Sequence, residues 1–245
     1  MKIGIFSDVH GNLEALNVCL ARFQKEGIKN FVNCGDIIGY GPDSEACTKK
    51  ISALPHIQSV IGNHDAVLVR PEIEVLFNYD AKVALDIGKA TLSPKSVKYL
   101  SALPRVVYGT NFTAVHGTPN EPVLEYFSSI KQFYDNYNLW KGQICFVGHT
   151  HLPFYIKGTM RSCALFLNKK DDFTIALNPK FRYVINPGSV GKPRDNNPAA
   201  SFGILDTTKK TFRFLRVPYN FKPTQEKMRA ADYPSFVIDS LAVGL

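Results

Sequence analysis

A mixed α/β fold is what this sequence predicts, on two observations: strand-like and helix-like runs alternate through the first 150 residues, and a series of strand-like runs follows from there to about residue 217. Parallel β-α-β units are expected in the first part and antiparallel pairing in the second. At 245 residues the chain fits one domain, or one domain carrying an insertion.

KIGIFSDV reads as a buried strand, and NLEALNVCLARFQKEG carries Leu13, Leu16, Leu20 and Phe23 at helical spacing, with Asn12 as N-cap and Gly27 as the stop. NFVNCGD is a strand, DSEACTKKISAL a helix ended by Pro55, and IQSVIGN a third strand. Residues 72–103 read as a helical insertion that breaks this rhythm, its last helix opening on Ser93 and Pro94. A packed helical pair on the flank is the plainer expectation for it than a lid or an oligomer contact. RVVYGTNFTAVHG reads as a hairpin through Gly109, Thr110 and Asn111, and a helix is expected around 128–140. The strand-rich part comprises FYIKG, RSCALFL, FTIAL, RYVIN, ASFGILD and TFRFLRV. The tail, 218–245, has helix-forming pieces around TQEKMRAAD and an apolar end, and no chemistry attaches to it.

Composition excludes several classes. No apolar stretch is long enough to span a membrane, and MKIGIFSDVHG turns polar after one short strand, so a soluble cytoplasmic protein without membrane attachment is expected. Five cysteines without a C-x-x-C pair fit reduced thiols. The net charge of +8 favours anionic partners, but the lysine doublets are scattered and no aromatic-basic surface is evident, so nucleic acid is not the expected partner.

The histidines carry the chemistry. Five of the six follow strand-like runs and sit beside Gly, Asp or Asn: SDVHGN (Asp8, His10), GNHD (Asn63, His64), AVHG (His116) and GHTH (His149, His151). Only His56 stands apart, and CGDIIG adds Asp36 at another strand end. Five strand ends thus deliver an Asp/His/Asn set to one edge of the sheet, where α/β folds place ligands. Imidazole with carboxylate suits Mn, Fe, Co, Ni or Zn better than magnesium alone. Seven donors exceed one tetrahedral site and suit two ions sharing a bridging carboxylate, about 3.5–4 Å apart. Asp8 and Asp36 neutralise only half the charge of two divalent ions, so the site stays cationic, as phosphate binding requires.

Taken in order, DVHGN, GD, GNHD, VHG and GHTH resemble the signature of the calcineurin-like metallophosphoesterase superfamily, and NPGSVGKPRD, residues 186–195, resembles a motif of its small prokaryotic phosphoesterase branch. The resemblance runs from residue 1 to about 217 and leaves the tail uncovered. It implies a four-layer α/β/β/α sandwich with a dinuclear centre at strand ends. By that pattern one metal takes Asp8, His10, Asp36 and His151, and the other takes Asp36, Asn63, His116 and His149. His64 is left without a metal, as general acid or electrostatic stabiliser at the phosphoryl group. Two divalent ions per chain are implied, manganese first and iron, zinc, nickel or cobalt as alternatives. The activity implied is hydrolysis of phosphodiesters or small nucleotide phosphoesters by in-line attack of a metal-bound hydroxide.

One departure matters. Where the serine/threonine phosphatase branch reads GDxxDRG, this chain reads GDIIGYG, with Gly39 and Tyr40 in place of Asp and Arg. Protein phosphatase activity is therefore disfavoured and the group that orients His64 is open, Asp43 being a candidate by proximity in sequence. Arg194 in KPRD is a candidate phosphate contact. Two rivals remain: a scaffold or binding module that keeps the fold without catalysis, which should lack ligands this chain retains, and a nuclease, which should carry a basic cleft.

Overall fold

Alternation along the strands sets their two faces. In β1 (Lys2–Phe6), Ile3 and Ile5 enter one apolar cluster while Phe6 enters another on the opposite face. The computed structural model, which describes residues 1–245, repeats this across two six-stranded sheets. The first has the order β3-β2-β1-β11-β12-β9, with β2 (Asn30–Asn33), β3 (Ile57–Ser59), β9 (Asp172–Ala176), β11 (Ala200–Asp206) and β12 (Thr211–Val217). The second has the order β4-β5-β6-β10-β7-β8, with β4 (Val106–Tyr108), β5 (Phe112–Val115), β6 (Ile144–Phe146), β7 (Pro153–Gly158), β8 (Cys163–Leu167) and β10 (Arg182–Pro187).

As expected, β1, β2 and β3 pair in parallel and the 106–115 hairpin antiparallel. The later strands pair antiparallel with one exception: β10 runs parallel to β6. That exception makes β5, β6 and β10 a parallel set whose carboxyl ends lie together.

The apolar clusters define the layers. Ile5, Val32, Phe146, Ile185 and Phe212 fill the space between the sheets. Leu16, Phe23, Ile51 and Leu100 pack helices α1 (Leu13–Lys25), α2 (Ser44–Ser52) and α5 (Pro94–Ser101) onto the outer face of the first sheet. Phe133, Trp140 and Val147 cover the second with α6 (Ile130–Asn136). The predicted caps hold: Asn12 Oδ1 accepts from Ala15 N at 3.1 Å, and Ser93 Oγ from Ser96 N at 3.3 Å. α6 is shorter than the 128–140 expected from sequence. The Arg182 guanidinium donates to the carbonyls of Tyr137, Trp140 and Gly142, satisfying acceptors in the turns that follow the helix.

The insertion is a 3-10 turn at Pro71–Leu76 followed by α4 (Tyr79–Ala90) and α5. The tail forms α7 (Lys222–Ala230) and α8 (Ser235–Val243), and its Met228, Val237, Ile238 and Leu241 bury against Ala84 of α4. Insertion and tail therefore cover one another, at the end of the sandwich where β1, β2 and β3 finish. All five cysteines are free, and no helix is long and apolar enough to cross a membrane.

Candidate metal centre and active site

The carboxyl ends of six strands meet at this edge. Asp8 and His10 follow β1, Asp36 follows β2, and Asn63 and His64 open the short helix α3 (Asn63–Ala66) after β3. His116 follows β5, His149 and His151 follow β6, and the loop after β10 brings Ser189 to Arg194. His56, at the opposite end of β3, is exposed and takes no part.

The loops are tied across the sheets. Both Asp8 carboxylate oxygens accept from His149 N at 3.2 Å, and His116 Nδ1 lies 2.8 Å from the Cys34 carbonyl. The NPGSVGK loop braces both: Ser189 Oγ donates to the Asp8 carbonyl at 2.8 Å, and Asn186 Nδ2 to the Gly148 carbonyl at 2.6 Å. The backbone is strained here. Asp8, His10, Asp36, His149 and His151 have φ of 55°, 49°, 57°, 66° and 60°, the left-handed region that costs an ordinary side chain about 1–2 kcal/mol each.

Two groups of donors result, with ligating atoms within 4.8 Å of one another: Asp8, His10, Asp36 and His151, and Asp36, His116 and His149. Asn63 Oδ1 joins the second, 3.0 Å from His116 Nε2. All seven candidate donors thus lie together at this edge.

The proton positions decide what they fit. A backbone carbonyl only accepts, so the imidazole nitrogen facing one carries the hydrogen. His10 Nδ1 faces the Ile38 carbonyl at 3.2 Å, His151 Nδ1 that of Lys192 at 2.6 Å, His116 Nδ1 that of Cys34, and His149 Nε2 that of Leu124 at 3.2 Å. Burial holds His10 and His151 well below the usual range and His149 down to about 3, so these three are neutral and their inward nitrogens are bare lone pairs. His10 Nε2 and His151 Nε2 nevertheless face each other at 3.0 Å, and His116 Nε2 and His149 Nδ1 at 3.2 Å. Acceptors at such distances need a cation between them. Burial also pulls His116 down, but the Asp36 charge outweighs it and holds the ring up to about 9, so a proton takes the cation's part there. Asp36, against the burial that would raise it, is kept well below the carboxylate range by the His116, His64 and His10 rings. Its Oδ1 accepts from His64 N at 2.9 Å, while Oδ2 has no hydrogen-bond partner and lies 3.4 Å from His116 Nε2 and 3.6 Å from His10 Nε2. An orphaned, buried carboxylate oxygen between two sets of lone pairs fits divalent cations.

His64 is held differently from the sequence expectation. Asp43 does not reach it: that carboxylate sits at the start of α2 and accepts from Lys227 of the tail at 2.8 Å. His64 is instead boxed by rings, edge-on to His10 at 4.7 Å and Phe77 at 4.6 Å and tilted against Tyr40 at 5.0 Å, and its Nδ1 has no partner. Burial is the main cause lowering it to about 4. Arg194 reaches the same cavity, where its Nη2 donates to the Tyr40 hydroxyl at 3.1 Å.

Several contributors escaped the sequence reading. Asp65, quoted within GNHD without a role, accepts from the amides of Ile37, Ile38 and Gly62 and so welds the Asp36 loop to the Asn63 loop. Lys192, Tyr40, Tyr126 and Phe77 line the cavity beside the donors; the sequence marked Tyr40 only as a departure from GDxxDRG and Lys192 only as part of NPGSVGKPRD, and gave no sign of the other two. Gly39 explains the GDIIGYG departure. Its φ is 145°, and a Cβ would strike the Nδ1 atoms of His10 and His64, so only glycine lets both rings occupy this loop. Gly39→Ala is expected to cost about 1–3 kcal/mol, or about 2–4 °C of thermal midpoint per kcal/mol at this chain length, and to weaken metal affinity. Calorimetry showing an unchanged midpoint would mean that the loop yields without strain.

The model of the calcineurin-like phosphoesterase superfamily domain matches residues 1–210. An uncharacterized protein of Methanocaldococcus jannaschii is 32% identical over 246 aligned positions, spanning 99% of this chain and 98% of its own length. A metallophosphoesterase from Sphaerobacter thermophilus superposes with a TM-score of 0.89 at 34% identity, covering 100% of this chain and 99% of its own. A hypothetical protein from Pyrococcus horikoshii shares the fold at a TM-score of 0.80 and 19% identity, with 100% and 98% covered. The family model stops short of the tail, whereas both structures span it.

Proposed function

This chain belongs to the calcineurin-like phosphoesterase superfamily, a metal-dependent family, and from that premise we propose that it hydrolyses phosphodiesters or small nucleotide phosphoesters with two divalent cations, manganese first among them. The observation that carries the reading is the orphaned Oδ2 of Asp36, set between the bare nitrogens of His10 and His151 on one side and, on the other, His149 and a His116 that holds a proton where a cation would sit. Asp8, His10, Asp36 and His151 would hold one ion, and Asp36, Asn63, His116 and His149 the other. Bound there, the cations neutralise phosphoryl oxygens and lower the pKa of water.

The protein's own groups do the rest. The four imidazoles keep their orientation through their carbonyl partners, so their inward nitrogens stay aimed at the centre when a substrate enters. Arg194, with its guanidinium steadied on Tyr40, binds a phosphoryl oxygen. His64 lies in the cavity without a partner on Nδ1; the negative charge of an entering phosphoryl group draws a proton onto the ring, which then serves the departing oxygen. Phe77 and Tyr40 exclude water from its flanks.

The test is to strip the protein of metal, reload it with manganese, iron, zinc, nickel or cobalt, count ions per chain, and assay nitrophenyl mono- and diesters. Two ions per chain and metal-dependent turnover are expected. Loading that stops at one ion would sink the dinuclear centre. Two ions with no turnover of any ester would sink the hydrolase and favour the binding module.

A further inference from the structure

The cavity has a second character. Its volume is about 370 Å³, and besides Asp36, His64 and Arg194 it is lined by Leu76 of the insertion, Tyr126, and Phe236 of α8. These three are large and apolar yet 66%, 48% and 63% exposed. Single exposed apolar residues are ordinary. Three from segments far apart in sequence, converging on one cavity beside a polar centre, make the arrangement of a small-molecule site. Tyr126 lies parallel to the His149 ring, with centroids 3.8 Å apart and planes at 7°. One face is thus used, and the ring's exposure leaves the other open.

The wall is also fixed. Lys192 Nζ donates to Ser240 Oγ at 2.8 Å and to the Leu245 carbonyl, while the Tyr233 hydroxyl donates to the Gly41 carbonyl at 3.2 Å. The backbone carbonyl of the same Lys192 receives His151 Nδ1, so the tail is pinned to a loop of the donor set. The volume is near the lower end of the roughly 300–1,000 Å³ usual for ligand pockets, room for a phosphoryl group and one ring system but not for a duplex or a folded protein segment.

We infer that Leu76, Tyr126 and Phe236 form an apolar subsite that takes a flat aromatic or nucleobase-like group of the substrate while its phosphoryl end lies beside Asp36, His64 and Arg194. This rests on the phosphoester reading above. Substrate choice then resides in the insertion and the tail, outside the strand-end motifs.

The test is binding of phenylphosphonate and methylphosphonate, which share a head group and are not hydrolysed, to the metal-loaded full chain by titration calorimetry. Phenylphosphonate is expected to bind roughly tenfold or more tightly, the increment of burying one ring. Phe236→Ser and Leu76→Ser should each bring it toward the methyl affinity, while Met160→Ser, at an exposed apolar residue in the turn between β7 and β8, should change neither. Equal affinities in the unaltered protein would overturn the subsite and leave the phosphoester reading standing. Failure of both ligands to bind a fully metal-loaded chain would overturn the phosphoester reading, and the subsite with it. Val75 and Tyr79 are also exposed on the insertion. A concentration-dependent dimer abolished by Phe236→Ser, with no ligand preference, would assign this rim to a second copy and overturn the subsite.

Discussion

Asp36→Asn is expected to strip both metal positions and to lower phosphoester turnover by about 10³-fold or more. The carboxylate is the only group shared by the two donor sets, and its Oδ2 is within 3.4 Å of one and 3.6 Å of the other. An amide removes one of the centre's two charges that Asp8 and Asp36 supply. If its NH2 occupies the Oδ2 position, it points donor hydrogens at the very place a cation would take. The fold should survive, because the amide oxygen can still accept from His64 N as Oδ1 does. Elemental analysis of the purified variant separates the possibilities: two ions per chain would show that Asp36 does not bridge. Asp8→Asn supplies the contrast, since Asp8 belongs to the first set alone and its loss should leave the other position filled.

The second large effect concerns His64. His64→Ala should retain its metals, because the ring belongs to neither donor set. It should lose about 10²–10⁴-fold on alkyl or nucleoside phosphoesters, whose leaving oxygens need a proton. On nitrophenyl esters the loss should be distinctly smaller, since a nitrophenolate departs unaided. The comparison requires equal metal loading and a rate limited by chemistry. Equal losses on both leaving groups would remove the proton-donor role and leave His64 as a group that positions phosphate.

The strand-end motifs were legible in the sequence because each couples a chemical group to a local backbone demand. Asp8, His10, Asp36, His149 and His151 sit at φ values most side chains avoid, and the glycines beside them announce those turns. His116 and Asn63 were legible by the same company. The aromatic box around His64 was not. Phe77 enters from an insertion that reads as a plain helical flank, and nothing in its local pattern distinguishes a ring that meets a histidine from one that meets the core. Asp43 misled for a related reason. It is close to Asp36 in sequence, but its partner is Lys227, 184 residues away. The tail was opaque for the same cause, since α7 and α8 acquire a role only through α4 and Lys192.

The pairing of β1 with β11, Lys2 opposite Asp206, bears on how the protein is made. A strand synthesised first waits for one of its two neighbours until some two hundred residues have been added, about 10–40 s at ordinary rates of translation. Until then β1 has only β2 beside it, and the loop that will clamp the Asp8 carbonyl through Ser189 does not yet exist. High contact order of this kind slows folding and exposes an apolar edge meanwhile. The braced form of the Asp8 loop is therefore completed late in folding, after the β10–β11 loop has left the ribosome, although every one of the seven donor residues has been made by then.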